Sequence, residues 1–363
     1  MYGARLAKDL RERTGARLFG MGGPRMAEAG VELIADYHEV AVVGITEVLH
    51  KIPTVVGVQR RLAREAVRRR AKLAILIDSP GTHLGVARRL KKHAIPVGYF
   101  IGPQVWAWRA GRVRVVKRRV NRMVVIFPFE EKIYRDAGVP CDFVGHPLVD
   151  VVHPAVSREE FARRYGLDPE RLIVTLLPGS RRNEIAQHYG RVLDACELLA
   201  RDLQSQRGVQ FVHVAAPGLG ADVFAAFGKR PGVDIKRVEG GAYEALAAAD
   251  CAIVASGTAT IEAALLVTPM VVIYRVKPLT AAILRHMVRA PFISMVNLVA
   301  GRRVVPELIQ DDFTAAGVAE QVRYLLESSE ARSEMKAGLA EVRAKLGPGG
   351  AIERAADIFA HML

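Results

Sequence analysis

The sequence predicts an α/β protein built from two Rossmann-like domains with parallel sheets. Three observations lead there. Short β-rich runs alternate with segments of helical period along the whole chain. Most of these runs are continuously apolar rather than alternating, which suits parallel strands covered by helices on both faces. A proline-bearing break near the middle is followed by a restart of the same alternation, and repeated βα order implies doubly wound sheets.

The elements follow in order. The opening stretch, MYGARLAKDLRERTGARLFGMGGPRM, sets Leu6, Leu10 and Leu18 among Arg5, Lys8, Asp9, Arg11 and Glu12. It begins inside what reads as a helix, where an α/β chain usually opens with a buried strand. Strands are expected at 16–22, 73–78, 96–102, 122–128, 141–146, 172–179, 209–216, 233–239, 251–257 and 270–276. Helices are expected between them, for instance at 83–94 and 184–204, where apolar residues recur at helical spacing. In VVGITEVLHKIPTVVGV (42–58), Val48, Leu49, Ile52, Val55 and Val56 also recur at that spacing, but Pro53 argues against one smooth long helix. Pro147 and Pro154 interrupt VGHPLVDVVHPAV. The expected domains are therefore 1–150, 151–340 and a C-terminal helix pair at 341–363. That pair surrounds a Gly-Pro-Gly-Gly break and packs back on the first domain or on a partner.

Composition bounds the function. The chain has 363 residues, half of them hydrophobic and 25% charged, enough for two ordinary cores. No apolar run is long enough to cross a membrane, and the charged, periodic N-terminus has no apolar signal region, so no export is expected. Cys141, Cys196 and Cys251 are far apart and read as buried thiols of a reducing compartment. The net charge of +14 favours anionic partners. Two basic runs contribute, Arg60–Lys72 and Trp108–Arg122. Neither carries a nucleic-acid module, so a solvated helix face or an acidic surface is the better reading.

Five stretches could carry chemistry. In LLPGSRRNEI (176–185) an apolar strand ends at Pro178-Gly179. Ser180 stands where a helix N-cap would be, and Glu184 lies in the first turn. Free N–H groups and the helix dipole attract phosphate at such a turn, and Arg181 adds a forked cation matched to a diphosphate. An ordinary capped turn is the plainer reading. In CAIVASGTATIEAALL (251–266) a second buried strand delivers Ser256, Gly257 and Thr258 to a helix start, with Glu262 able to accept hydrogen bonds from ribose hydroxyls. Two such turns in one domain point at one crevice at the carboxyl ends of the strands. In ILIDSP (75–80), Asp78 ends a strand where it is either a general base toward a hydroxyl or a turn cap. Trp106, Trp108 and Arg109 form either a rigid wall or part of the core. The apolar positions from Val48 to Val56, rimmed by cations from Arg60, are either core-facing or a membrane-docking patch.

Taken together these motifs resemble the lipid-A-disaccharide synthase family (glycosyltransferase family 19) of Gram-negative bacteria. The ordered set GMGGPRMAEAG, VVGITEVL, IDSP, PQVWAWR, FPFEEKIY, FVGHPLVD, LLPGSRRNEI, ALAAADCAIVASGTATIEAAL, MVVIYRVKPLT and NLVAGRRVVPELIQ covers essentially the whole chain. The resemblance implies a GT-B enzyme with two facing Rossmann-like domains. It implies inverting transfer of 2,3-diacylglucosamine from UDP to the 6-hydroxyl of 2,3-diacylglucosamine 1-phosphate (lipid X), with UDP released. The family uses no metal and no cofactor, the UDP-linked lipid being a substrate. Asp78 matches its essential aspartate, and Arg181 stabilises the leaving diphosphate. Gly179, Ser180, Arg181, Glu184, Ser256, Gly257, Thr258, Glu262, Asn297, Gly301 and Glu307 fall in its UDP-binding segments. The family works peripherally on the inner face of the inner membrane, which gives weight to Val48, Leu49, Ile52, Val55 and Val56 as an acyl-chain or membrane patch, and it also forms homodimers.

Three departures stand out. Gly81-Thr82-His83 replaces the family's Asp-Phe-Asn after the aspartate. Val296 replaces a proline before Asn297. The family's first strand and its GExSGD turn are missing before a helix that commonly reads LYGARL, so Met1 is expected to be a misread leucine-type start codon. Two alternatives stay open: another UDP-sugar transferase on the same fold, and an inactive nucleotide-binding form.

Overall fold

The computed structural model describes residues 2–40, 45–103, 105, 111–203, 208–287 and 290–363, with side chains described for all of these except 45–50, 283, 284, 286 and 287. The chain divides into two compact units, residues 1–147 with 346–363, and residues 148–345.

The first unit runs α1 (Tyr2–Thr14), β1 (Leu18–Gly22), α2 (Pro24–Glu28), β2 (Val31–Asp36), α3 (Ile45–Arg68), β3 (Ala74–Ile77), α4 (Pro80–Lys91), β4 (Val97–Phe100), α5 (Arg112–Arg119), β5 (Arg122–Val125), α6 (Pro128–Asp136) and β6 (Cys141–Phe143). Strands β3-β4-β5-β6 form one parallel sheet in sequence order, and β1-β2 a second parallel pair. Val97, Tyr99, Phe100 and Met123 through Val125 are wholly buried, as their unbroken apolar runs require.

Two differences from the expected elements have physical causes. Strand β2, VELIAD, was not expected. Glu32, Leu33 and Asp36 remain exposed in it, so it lacks the continuous apolar run of a covered strand. Helix α3 runs through Pro53 instead of starting or stopping there. A proline inside a helix costs about 3 kcal/mol, and here that cost is met by packing further along. Val58, Ala63 and Ala66 are buried and Gln59 donates to the Thr82 carbonyl (3.0 Å).

The second unit runs α7 (Arg158–Tyr165), β7 (Leu172–Leu177), α8 (Arg182–Asp202), β8 (Val209–Ala215), α9 (Asp222–Ala225), β9 (Ile235–Glu239), α10 (Ala242–Ala247), β10 (Cys251–Ala255), α11 (Thr258–Leu265), β11 (Met270–Tyr274), α12 (Pro278–Met287), α13 (Met295–Ala300), β12 (Glu307–Ile309), α14 (Ala315–Glu327) and α15 (Ser329–Lys345). Its single parallel sheet has the order β12-β11-β10-β7-β8-β9. From β7 the chain moves outward one way through β8 and β9, then returns to β7's other side and moves the opposite way through β10, β11 and β12. The order therefore reverses between β7 and β10, which pair directly, Leu177 opposite Val254. Strand β12 has only three half-buried residues and no apolar run, so nothing local announces it.

Helix α16 (Ala351–Ala360) belongs to the first unit. Phe359 is buried against Gly98 of β4, where any Cβ would sit 2.4 Å from the ring. Arg354 donates twice to the Val144 carbonyl (3.0 and 2.6 Å), and Asp357 pairs with Arg13 of α1. In α1, Leu6 and Leu10 are buried, whereas Leu18 lies in β1.

Candidate active site

In the second unit both glycine-bearing turns leave the sheet beside the reversal of strand order. Pro178 to Arg181 follow β7, and Ser256 to Thr258 follow β10. Neighbouring crossovers run to opposite sides at such a point and open a crevice at the carboxyl ends of the strands.

The first turn differs in detail from its expected form. The N-cap of α8 is Arg181, in extended conformation, rather than Ser180. Glu184 folds back over the turn. Its carboxylate accepts the Ser180 N–H (2.8 Å) and the Arg181 guanidinium (2.7 Å). Glu184 is thus a cap that occupies an anion position, rather than a side chain reaching outward. Gly179 is required here twice over. Its φ is +142°, and a Cβ would lie 2.6 Å from the Glu184 Cβ. The Arg181 side chain is 72% exposed. An exposed ion pair of this kind holds little energy, so the guanidinium can exchange the carboxylate for a phosphate at small cost.

Fully buried His188, two turns into α8, backs the turn. Its Nδ1 donates to the Pro178 carbonyl (2.6 Å) and its Nε2 accepts the Arg275 N–H (2.9 Å), tying the end of β7 to the end of β11. Gln310 extends the tie by accepting the Val276 N–H (2.7 Å). Sequence reasoning missed His188. The available signal was a histidine on the apolar face of α8, among Ile185, Tyr189 and Val192.

At the second turn, Gly257 adopts φ +156°, and the Ser256 hydroxyl donates to the Ile293 carbonyl (3.0 Å). Thr258 is exposed at the first position of α11. Glu262 is half-buried and has no hydrogen-bond partner among the described residues. Burial raises its carboxyl above the ordinary range. It is an acceptor without a mate among those residues.

Of Asn297, Gly301 and Glu307, expected to touch nucleotide, Asn297 and Glu307 direct their polar atoms to the protein, while Gly301 is exposed. Asn297 is fully buried. Its Oδ1 accepts from the Val304 and Val305 N–H groups (2.7 and 3.0 Å), and its Nδ2 donates to the Val305 carbonyl and to Glu307 (2.9 and 2.8 Å). No donor or lone pair is left over. Glu307 also accepts the Ile293 and Ser294 N–H groups (both 2.9 Å). Gly301 closes α13 in the left-handed conformation, donating to the Asn297 carbonyl. These residues build the loop that Ser256 grips, so they act on the second turn from behind.

In the first unit, Asp78 follows β3 at the carboxyl end of the sheet and is exposed. It has φ +51° and Ser79 has φ +46°, two consecutive non-glycine residues in the left-handed region. Such positions cost about 1–2 kcal/mol each. The Asp78 N–H extends the ladder by donating to the Phe100 carbonyl (3.1 Å). Its own carbonyl accepts from the Tyr99 hydroxyl (2.7 Å) and His83 Nδ1 (2.8 Å).

Of the apolar positions, Ile52 is 48% exposed, and Val55 and Val56 are half-buried. Val48 and Leu49 lie in α3, but their side chains fall outside the described residues, as do Trp106, Trp108 and Arg109. Of the first basic run, Arg61 pairs with Glu39, Arg68 with Glu65, and Arg69 with Glu32 and Glu65. Arg60, Arg88, Arg89, Arg118 and Arg119 lie near one another instead, and Arg89 and Arg119 are held below the usual arginine range by burial and by these like charges.

The model of the lipid-A-disaccharide synthetase family matches residues 1–358. The chain belongs to that family. The lipid-A-disaccharide synthase of Solibacter usitatus is 46% identical over 359 residues, 98% of this chain and 92% of the relative. That of Acidobacterium capsulatum is 46% identical over 376 residues, 100% of this chain and 93% of the relative. Among solved structures, the UDP-GlcNAc 2-epimerase of Neisseria meningitidis bound to UDP-GlcNAc superposes with a TM-score of 0.60 at 11% identity, covering 99% of this chain and 95% of that one. The calicheamicin glycosyltransferase CalG4 superposes with a TM-score of 0.59 at 15% identity, covering 100% and 95%. Those likenesses speak for the fold, which is GT-B. Family membership makes the chain a glycosyltransferase of lipid A assembly.

Proposed function

We propose that the chain condenses UDP-2,3-diacylglucosamine with 2,3-diacylglucosamine 1-phosphate, inverting the anomeric carbon and releasing UDP. The observation that carries this reading is the placement of both glycine turns beside the strand-order reversal of the second unit. A diphosphate there meets main-chain N–H groups, the start of α8 and the exposed end of the Arg181 side chain. Negative charge builds on the diphosphate as the glycosidic bond breaks, and preorganised donors stabilise that charge more than they stabilise the ground state. Glu262 accepts from the ribose. Asp78 takes the proton from the acceptor's 6-hydroxyl, making the oxygen nucleophilic as it attacks. No metal ion is assigned a role in this scheme, since Arg181 and the turn carry the leaving-group charge.

The substrates carry acyl chains and must be drawn from a bilayer. No helix among the described residues is long and apolar enough to cross a membrane. Exposed Ile52, with Val55 and Val56 beside it and the arginine cluster on the same unit, suits peripheral docking on the anionic inner face. Cosedimentation with anionic vesicles that weakens in high salt supports docking, whereas equal binding to neutral vesicles counts against it.

The deciding experiment incubates purified protein with acylated or unacylated UDP-glucosamine donors and lipid X, and follows UDP release and disaccharide by mass spectrometry. Turnover is expected only with the acylated donor. Turnover confined to unacylated UDP-N-acetylglucosamine would replace this reading with that of another UDP-sugar transferase.

A further inference from the structure

We propose that His83 is a positioning residue for Asp78, holding the aspartate in its left-handed conformation through the Asp78 carbonyl. The inference rests on the assignment of Asp78 as base. In an ordinary strand end the carbonyl would continue the ladder. The positive φ of Asp78 and Ser79 turns the chain sharply into α4 instead, and two such residues without glycine need a compensating hold. That hold falls on one oxygen. Tyr99, fully buried on β4, donates its hydroxyl at 2.7 Å, and His83, on the first turn of α4, donates Nδ1 at 2.8 Å. Both lone pairs of the carbonyl are then used.

The protonation states suit a permanent clamp. Burial, with the Asp78 carboxylate adding to it, raises the Tyr99 hydroxyl far above its ordinary range, so it remains a donor. Burial also lowers His83 below its ordinary value, against the upward pull of the Asp78 carbonyl, the Asp78 charge and the Ile77 carbonyl. A neutral imidazole has one N–H, and the hydrogen bond to Asp78 places it on Nδ1. The ring also meets Tyr99 edge-on, with centroids 6.4 Å apart. The clamp fixes the peptide from which the carboxylate projects. A base misplaced by about 1 Å loses on the order of 100-fold in rate, so orientation of this peptide is a matter of kcat rather than of binding. Asparagine is the substitution that keeps an N–H donor near the position of Nδ1.

The test compares His83→Ala and His83→Asn with the wild type. For His83→Ala, kcat is expected to fall roughly 10- to 100-fold with both KM values within about twofold. For His83→Asn, kcat is expected to return to within about threefold of wild type. Wild-type kcat in His83→Ala, or equal loss in both variants at unchanged melting temperature, overturns the proposal. Histidine-selective 15N spectra of the wild-type protein test the clamp without turnover. An Nδ1–H tautomer at His83 supports it, and an Nε2–H tautomer overturns it even where His83→Ala fails to fold. Absence of wild-type turnover would sink the base assignment, and the spectra would still read the clamp.

Discussion

The two units solve the same local problem, leaving a parallel strand at its carboxyl end, by opposite means. After β7 and β10 the second unit uses glycine, Gly179 at φ +142° and Gly257 at φ +156°. After β3 the first unit uses Asp78 and Ser79 at φ near +50°, paid for by two donors on one carbonyl. Under the proposed function, the difference follows from what each turn presents. A turn that offers its backbone to an anion gains from having no Cβ. A turn that must project a carboxylate cannot be glycine and has to be held by its neighbours.

The largest expected effect separates the two turns by function. Asp78→Asn should lower kcat by roughly 10²–10⁴-fold while leaving UDP affinity, read by calorimetry, unchanged. A parallel loss of UDP affinity would show that the turns are not distinct in role. Next, Asn297→Ala removes a fully committed buried amide and strands several backbone groups, each costing about 1–3 kcal/mol. A large fall in melting temperature is expected, together with weaker UDP binding as the Ile293–Ser294 loop loosens. A variant that binds UDP poorly at unchanged stability would instead put Asn297 in direct contact with nucleotide. Gly179→Ala should destabilise by about 1–3 kcal/mol and raise the donor KM. If it is silent, the glycine turn is no more constrained than the aspartate turn, and the contrast fails.

The smallest effect concerns Glu262, whose carboxyl burial raises. An acid with a raised folded-state pKa favours the folded state when protonated. That stability is fully present below the unfolded pKa and is lost as pH rises through the folded value. At pH 7 the ionised Glu262 is therefore a burden on the apo protein. Glu262→Gln should raise the melting temperature slightly at pH 7, with the gain shrinking toward pH 4, and should weaken UDP binding about tenfold. A drop in stability at pH 7 would mean that the carboxylate is satisfied by the protein.

Much of this was legible in the chain. Runs such as LIVTLL, CAIVA and MVVIY read as covered strands and are buried along most of their length, whereas AILI is a strand in which only Leu76 is fully buried. The motifs around Asp78, Arg181 and Ser256 fall at strand ends, and the one around Asn297 runs into β12. What they concealed was direction. Asn297 and Glu307 commit their polar atoms to each other and to nearby backbone, and Glu184 bends back onto Ser180. Strand β2 is too polar and β12 too short to be seen, because their pairing rests on the neighbour strand rather than on a continuous apolar run of their own.

Sequence alone determined the α/β class, most of the strands and the family, and it nominated Asp78 as base and Arg181 as cation, because each rests on local pattern and residue chemistry. Tertiary structure alone decided that the sheet of the second unit reverses between β7 and β10. It also returned α16 to the first unit, and gathered Tyr99 and His83 onto the Asp78 carbonyl. Those are contacts between segments that carry no local signal for one another. Burial and hydrogen-bond geometry, settled only when the sheets pack, choose which polar atoms face inward and which stay free for substrate.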